Sequence, residues 1–470
     1  MLNHRSLRGH ISRSKALRSI GTLTPPATAN ALQSPHNATP EASAALMDLW
    51  LTIAPDQAGL PLLNLVSEIT SRLKPKARTD ARDRRTQIII TIITNFLQFQ
   101  SIAVNLKRER STRYQRQAIK GEPLSLALGE LEELGLIAIQ QYQFKKQRTI
   151  ITPTPKLREL IAKHQVTNAC TVRLPDEEVI ILTRLKTRNT TTIGDDEEND
   201  DDGGGDAPFN QHGSEIDYPD DCATANTLRT PLRQYNQFLS QSRISIIGTV
   251  DHPLAQDASQ PPFAPFKRLF ASDGTISFTL RGRLHGGQVG GWNQNLPKEQ
   301  RHLIRINDEP VCDLDFTNMH LRLAYLEANC PPPDGDLYAI KGLEAHRSAV
   351  KQVVLAMLAK TGPLTKLPRG TRDQLPKQWN GETIRQAIVE HHAPIANIFG
   401  KANSHRFTFQ ESQILMETLC RLMNQHNVPA LPMHDGLMVQ ASKRELAMKA
   451  MQEVALDVLD VVLPVEEKIY

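Results

Sequence analysis

Apolar positions recur along this chain with two periods, and each period marks a different kind of element. Between Ala42 and Leu73 the spacing is helical, as in ASAALMDLWLTI. From about Arg82 the run DRRTQIIITIITNFLQFQ predicts a long helix, and PLSLALGELEELGLI repeats the helical spacing until Gly135 stops it after Leu134. The period then shifts to two. IAIQQYQF and TIITPTP read as strands joined by a turn carrying Lys145, Lys146 and Arg148. In the second half, VCDLDF alternates and places Asp313 and Asp315 on one face of a strand. Thr317 to Glu327 reads as a helix, and LPMHDGLMVQA as a hairpin with His434, Asp435 and Gly436 at its turn. FTFQESQILMETLCRLMNQH predicts a helix leading into that hairpin, with Glu411 near its start as a cap or, less favoured, a metal-site helper.

Two helices followed by a basic two-stranded hairpin is the order of a winged helix. In that reading Leu124 to Leu134 is the recognition helix and Lys145, Lys146 and Arg148 form a DNA-binding wing tip. A small α+β domain used for packing or protein contacts is the alternative. Acidic Glu130, Glu132 and Glu133 argue against deep groove insertion, so the wing and Arg108, Arg110, Arg113 and Arg116 would grip phosphates without reading sequence.

Composition sets the boundaries. A chain of 470 residues is long enough for two to four domains. Residues 1–41, rich in Pro, Ser, Ala and Asn, are expected to form a disordered arm. Residues 42–165 are expected to be helical plus winged-helix-like. Residues 166–224, containing the acidic run from Asp195 to Asp206, are expected to be a linker, and residues 225–470 a second region. The net charge of +4 says little about partners, but the basic segment from Lys107 to Lys120 fits nucleic acid or a solvated surface. The 5 cysteines are scattered without a Cys-x-x-Cys pair, which argues against a disulfide framework or zinc knuckle and fits a cytoplasmic setting. The longest apolar run, Ile88 to Ile93, is too short to span a bilayer, and the basic N-terminus lacks the apolar core of a secretory signal. His391 and His392 read as surface residues.

The chemistry concentrates in four blocks. They are RGRLHGGQVGGWNQNLPKEQRHLIRI, EPVCDLDFTNMHLRLAYLEA, GDLYAIKGLEAHRSAVKQVVLAMLAKTG and VPALPMHDGLMVQA. A carboxylate at a strand end facing one at a hairpin turn suits two Mg²⁺ ions, because hard cations take oxygen ligands. Taken alone, Asp315 and Asp435 read more readily as ordinary turn and capping carboxylates. Arg347 and Lys351 share a helix face and suit either phosphate or solvent.

Together and in order, these blocks resemble family A DNA polymerases, the group of the bacterial repair polymerase and single-subunit phage enzymes. The family's TGRL segment followed by QNIP is matched by Gly282-Arg283-Leu284 and Gln294-Asn295-Leu296-Pro297. Its first palm motif, D-Y-S-x-x-E-L-R, is matched by Asp315-Phe316-Thr317-Asn318-Met319-His320-Leu321-Arg322. Its finger-helix R-x-x-x-K is matched by Arg347 and Lys351, and its H-D-E turn by His434-Asp435-Gly436. The resemblance covers roughly residues 225 to 470. It implies an α+β right-hand palm with antiparallel sheet and compact fingers, preceded here by the winged-helix-like domain and helical N-terminus. It implies a template-directed nucleotidyltransferase, with primed DNA template and nucleoside triphosphates as partners, replication proteins as further partners, and no membrane. Asp315 and Asp435 would be catalytic ligands of two Mg²⁺ ions, with Mn²⁺ as a substitute. Lys351 would neutralise triphosphate charge. Arg347, His320, Asp336, Tyr338 and Leu355 would line the nucleotide pocket, and Arg283, Gln294, Asn295 and His434 would touch the primer-template. Asp313 is an added carboxylate that tunes the site or lies beside it. A winged helix joined to such a palm would suit a plasmid, phage or other mobile element.

The departures from the family pattern shape the alternatives. His320 replaces the Glu that crowds the ribose 2′ position, which leaves room for an RNA polymerase or primase-like enzyme. Leu355 and Ala359 replace finger-helix aromatics, which leaves room for a catalytically silent DNA-binding or regulatory factor. Gly436 replaces the Glu after His-Asp.

Overall fold

The computed structural model describes residues 45–104, 119, 121–141, 149–185, 213–247, 263–286, 294, 296–433 and 435–469. The expected arm, the basic segment from Lys107 to Arg116, the hairpin tip with Lys145, Lys146 and Arg148, the acidic run, Asn295 and His434 lie outside the described residues.

The N-terminal part runs β1 (Ala45–Leu46), β2 (Leu51–Ile53), α1 (Leu60–Ser71), α2 (Thr79–Phe96), β3 (Ile102–Val104), α3 (Gly121–Glu133), β4 (Ile137–Gln141), β5 (Thr149–Pro153), α4 (Pro155–Lys163) and β6 (Thr171–Arg173). Its main sheet has the order β1-β3-β5-β4, and β2 pairs with β6. Ile88, Ile89, Ile92 and Ile93 of α2 and Leu124, Leu128 and Leu131 of α3 are fully buried in one core with Ile102, Ile137 and Ile151 of the sheet. The apolar stripe of each helix is thus what ties it to the sheet. The expected helix ASAALMDLWLTI is instead two short strands. Trp50 to Ile53 fits helical spacing, but Leu51–Ile53 finds an antiparallel partner in Thr171–Arg173, and tertiary pairing overrides the local pattern.

The second part continues with β7 (Ile180–Arg184), α5 (Ala223–Leu239), β8 (Ile244–Ile246), β9 (Lys267–Ser272), β10 (Leu280–His285), β11 (Ile304–Ile306) and β12 (Glu309–Phe316). It ends with α6 (Met319–Glu327), α7 (Arg347–Ala359), α8 (Gly381–His391), α9 (Ser404–His426), β13 (Ala430–Met433), β14 (Gly436–Gln440), α10 (Arg444–Leu459) and β15 (Val465–Lys468). The main sheet has the order β13-β14-β12-β11-β8, with β15 also paired to β12. A smaller sheet has the order β10-β9-β7, with β7 and β9 parallel. The architecture is a mixed α+β fold. Part of the expected linker is therefore strand: Val179 to Leu182 is a continuous buried apolar run, the signature of a parallel strand covered on both faces. Among the described residues no helix is long and apolar enough to cross a membrane.

His392 is also a correction. It is fully buried, its Nδ1 is 2.8 Å from Tyr325 Oη, and its Nε2 is 3.0 Å from the Leu337 carbonyl oxygen. Burial, and secondarily the neighbouring His391, hold its pKa down to about 4. A polar ring whose nitrogens both find partners is tolerated in a core, which the sequence pattern alone does not reveal.

Candidate active site

The site is built on β12. Cys312, Leu314 and Phe316 point to the core, so Asp313 and Asp315 share the opposite face. β12 is sandwiched near its end. Leu314 pairs with Leu437 of β14 on one side and Glu467 of β15 on the other. Asp435 immediately precedes β14, so this register sets it beside Asp315. The next residue is pressed against β12. A Cβ on Gly436 would lie 2.1 Å from the Leu314 carbonyl oxygen and 3.1 Å from Asp315 Cα, so no side chain fits there without moving β14 away from β12.

The two carboxylates repel each other's ionisation. Burial first, and then the charge of Asp435, push Asp315 well above the usual carboxylate range, and Lys468 opposes the shift. Lys468 Nζ is 2.6 Å from Asp315 Oδ2. Burial lowers the ammonium's pKa, but Asp315, Asp435 and Asp313 outweigh burial and raise it. Asp313 Oδ2 lies 3.9 Å from Arg301 Nη1. Asp315 Oδ1 is buried without a hydrogen-bond partner among the described residues. A hard divalent cation fits such a spot, since it takes carboxylate oxygens and relieves the repulsion between them. Among the described residues no group of three or more His, Cys, Asp or Glu side chains is gathered as a metal site, so the donors on offer are this pair.

The strand turns into α6 through Asn318, whose φ of 57° is a left-handed conformation that Asn adopts more readily than most residues. That turn aims Asn318 at a second cluster. Arg347 Nε donates to Asp336 Oδ2 at 2.6 Å, and its Nη2 donates to Asp336 Oδ1 at 3.1 Å and to Asn318 Oδ1 at 3.4 Å. The guanidinium lies 5.3 Å from the Tyr338 ring centroid. Burial raises Asp336, but the Arg347 hydrogen bond and charge outweigh it and hold the carboxyl below its usual range. Lys351 and Leu355 follow Arg347 at successive turns of α7, on the same face.

A third cluster centres on Glu411, whose side chain is 1% exposed. Glu411 lies well inside α9 rather than at its cap. It accepts from Arg283 Nε at 2.7 Å and Nη2 at 3.2 Å, and its Oε2 lies 3.1 Å from His320 Nε2. Arg283 reaches it because the β9-β10 register shifts between Arg281 and Arg283. Gly282 sits at that bulge with φ of 87°, where a Cβ would lie 2.7 Å from the Phe270 ring. Gln294 donates to the carbonyl oxygens of Leu284 at 2.8 Å and Pro432 at 3.3 Å and accepts from the Gly286 N–H, so its amide ties β10 to β13. The structure therefore brings Asp315 to Asp435, Arg347 to Asp336 and Tyr338, and Arg283 to His320.

Two residues of this region carry no sequence signal of their partners. Lys468 sits in a short polar strand with no pattern of its own. Glu411 stands out on its helix, but the groups it binds come from residues far away in the chain.

No family model matches the chain, and no curated protein matches it by sequence. Among solved structures the chain is similar to the POL domain of Pol1 from M. smegmatis in complex with DNA primer-template and dNTP, at 13% identity and a TM-score of 0.31. The match covers 90% of this chain and 66% of that one, so the chain spans just under two thirds of the length of the structure it matches. A likeness of that size assigns neither a family nor an activity.

Proposed function

We propose that the chain is a template-directed nucleotidyltransferase that extends a 3′ end, with DNA as template and product. The observation that carries this reading is the register of β12 with β14, which sets Asp315 beside Asp435 at one end of a sheet. Asp315 and Asp435 would hold Mg²⁺, which when bound supplies activation of the 3′-hydroxyl and neutralisation of triphosphate charge. Arg347 and Lys351 offer cationic groups on one helix face to the outer phosphates, and Asp336 orients the guanidinium until phosphate competes for it. His320, whose Nε2 lies 3.1 Å from Glu411 Oε2, is the residue on which the choice of sugar would turn. Arg283 is held by the same Glu411, so duplex contact and nucleotide pocket share one buried carboxylate.

The winged-helix reading of the N-terminal part is supported by the strand order β3-β5-β4 together with α2 and α3, and in it Lys145, Lys146 and Arg148 remain the proposed DNA grip. Asn295 and His434 keep their proposed primer-template roles.

Primer extension with Mg²⁺ and each nucleotide set tests the proposal. Extension is expected, with loss of about a thousandfold in Asp315→Ala and Asp435→Ala. No extension by the wild type, or equal extension by both variants, refutes it. Preference for ribonucleotides would move the assignment to an RNA polymerase or primase-like enzyme.

A further inference from the structure

The cation resting on the carboxylate pair is supplied by the chain itself. Lys468 lies on β15 directly across from Asp313, and from there its ammonium reaches diagonally to Asp315 Oδ2 at 2.6 Å. β15 is anchored by Glu467, whose Oε2 is 2.6 Å from Arg444 Nε, so the strand stays in place if the lysine's ion pair with Asp315 is exchanged. That side chain is 36% exposed, which leaves the flexible stem a route into water. The other oxygen of Asp315 is buried with no hydrogen-bond partner among the described residues. One oxygen of the carboxylate is thus held by an ammonium with a route to water, while the Asp435 carboxyl lies against the same residue and adds to its need for a cation. An ammonium and a divalent cation seek the same oxygens and repel each other at contact distance.

We propose that Lys468 is a positioning residue, the resident counter-ion of the Asp315–Asp435 pair, and that a divalent cation enters the site by exchange with its ammonium. The proposal rests on the metal-supported reading of that pair given above. In the metal-free chain the lysine keeps two like charges together on a buried strand end, where otherwise they would splay or take up a proton. When the metal arrives, the ammonium moves into solvent, so metal affinity reflects a difference between two cations.

Mn²⁺ binding to the full chain, followed by electron paramagnetic resonance at pH 8, tests the exchange. Lys468→Met and Lys468→Gln are expected to bind Mn²⁺ about tenfold more tightly than wild type, because the competing charge is gone. Both should melt lower than wild type in chelator, and Lys468→Arg should stay close to wild type in both measurements. A readout in unmutated protein covers the case in which the neutral variants fail to fold. Acetylation of Lys468 by an amine-reactive ester, followed by mass spectrometry, should rise several-fold when Mn²⁺ is added, and should not change in Asp315→Ala. Mn²⁺ binding that needs Asp315 but is unchanged or weakened in Lys468→Met, or Lys468 acetylation indifferent to Mn²⁺, overturns the exchange and leaves the proposed activity standing. Absence of Mn²⁺ binding by wild type, or binding indifferent to Asp315→Ala, overturns both.

Discussion

Arg173 and Asp315 are both buried charges with partners brought from far away in sequence, Asp48 for one and Lys468 for the other, yet their surroundings are opposite. Around Arg173 the signs alternate. Its guanidinium is paired with both oxygens of Asp48 and lies 2.5 Å from Glu177, and Glu177 in turn is 2.6 Å from Lys267. This cluster ties the N-terminal part, through Asp48 beside β2, to β9 of the second part. Around Asp315 like charges adjoin. Asp435 raises its proton affinity instead of lowering it, and Lys468 only partly offsets that. A cluster of alternating charge is electrostatically compensated as folded, even though the Arg173 Nε itself has no hydrogen-bond partner among the described residues. A cluster of adjoining carboxylates carries a cost in the folded state that a bound cation would relieve, which is how strained sites and structural ones are told apart.

Breaking the alternating cluster should have the largest effect on stability. Arg173→Met leaves Asp48 and Glu177 buried without their central cation and is expected to cost about 3–5 kcal/mol in chemical denaturation. A loss under about 1 kcal/mol would mean that the two clusters do not differ as described. Next comes Gly436→Ala, which puts a Cβ against the backbone of β12 and is expected to cost roughly 1–3 kcal/mol and to impair the carboxylate site with it. Unchanged stability would show that β14 does not press on β12.

The sign should reverse at Asp315. Asp315→Asn removes the repulsion with Asp435 and is expected to stabilise the metal-free chain at pH 8, by about 1 kcal/mol. A carboxyl whose folded pKa is raised binds its proton more tightly when folded. Its penalty is therefore full above the raised pKa and fades as pH falls toward the ordinary value near 3.8. The gain from Asn should fade over the same window, and thermal melts in chelator across pH read it directly. The smallest effect is expected at Arg347→Ala, where the pair is 49% and 34% exposed and solvent screens it. Stability should change by less than about 1 kcal/mol, while the apparent affinity for nucleoside triphosphate weakens.

His392 gives the comparison a third, neutral case. Its folded pKa of about 4 lies below the ordinary value of 6.5, so the unfolded chain takes up the proton first and stability is lost as pH falls between those values. His405, pushed to about 4 by burial and by Arg281, adds to the same slope. His392→Gln should flatten the acid limb of the stability curve; an unchanged limb would place the slope elsewhere.

What is legible in the sequence follows from the range of each interaction. Helix α2 is readable because its isoleucine stripe is a local pattern, and the end of α3 because Gly135, with φ of 67°, supplies the stop. The shared face of Asp313 and Asp315 is readable because alternation is local too. Strand pairing is not local. β2 reads as helix in the sequence because its partner β6 lies far along the chain, and β7 is absorbed into a linker because the acidic run beside it dominates the composition. The same holds for the site. Asp315 and Asp435 stand out through motif order, but Lys468 becomes visible only through the β12-β15 register, and the role of Glu411 only through Arg283 and His320.

The most direct test is the rate at which a single nucleotide is added to a primed template by wild type and by Asp315→Asn, each first melted without metal. The expected result is a variant at least as stable as wild type that adds nucleotide about a thousandfold more slowly, or not at all. An Asp315→Asn variant that adds nucleotide at the wild-type rate would contradict the account.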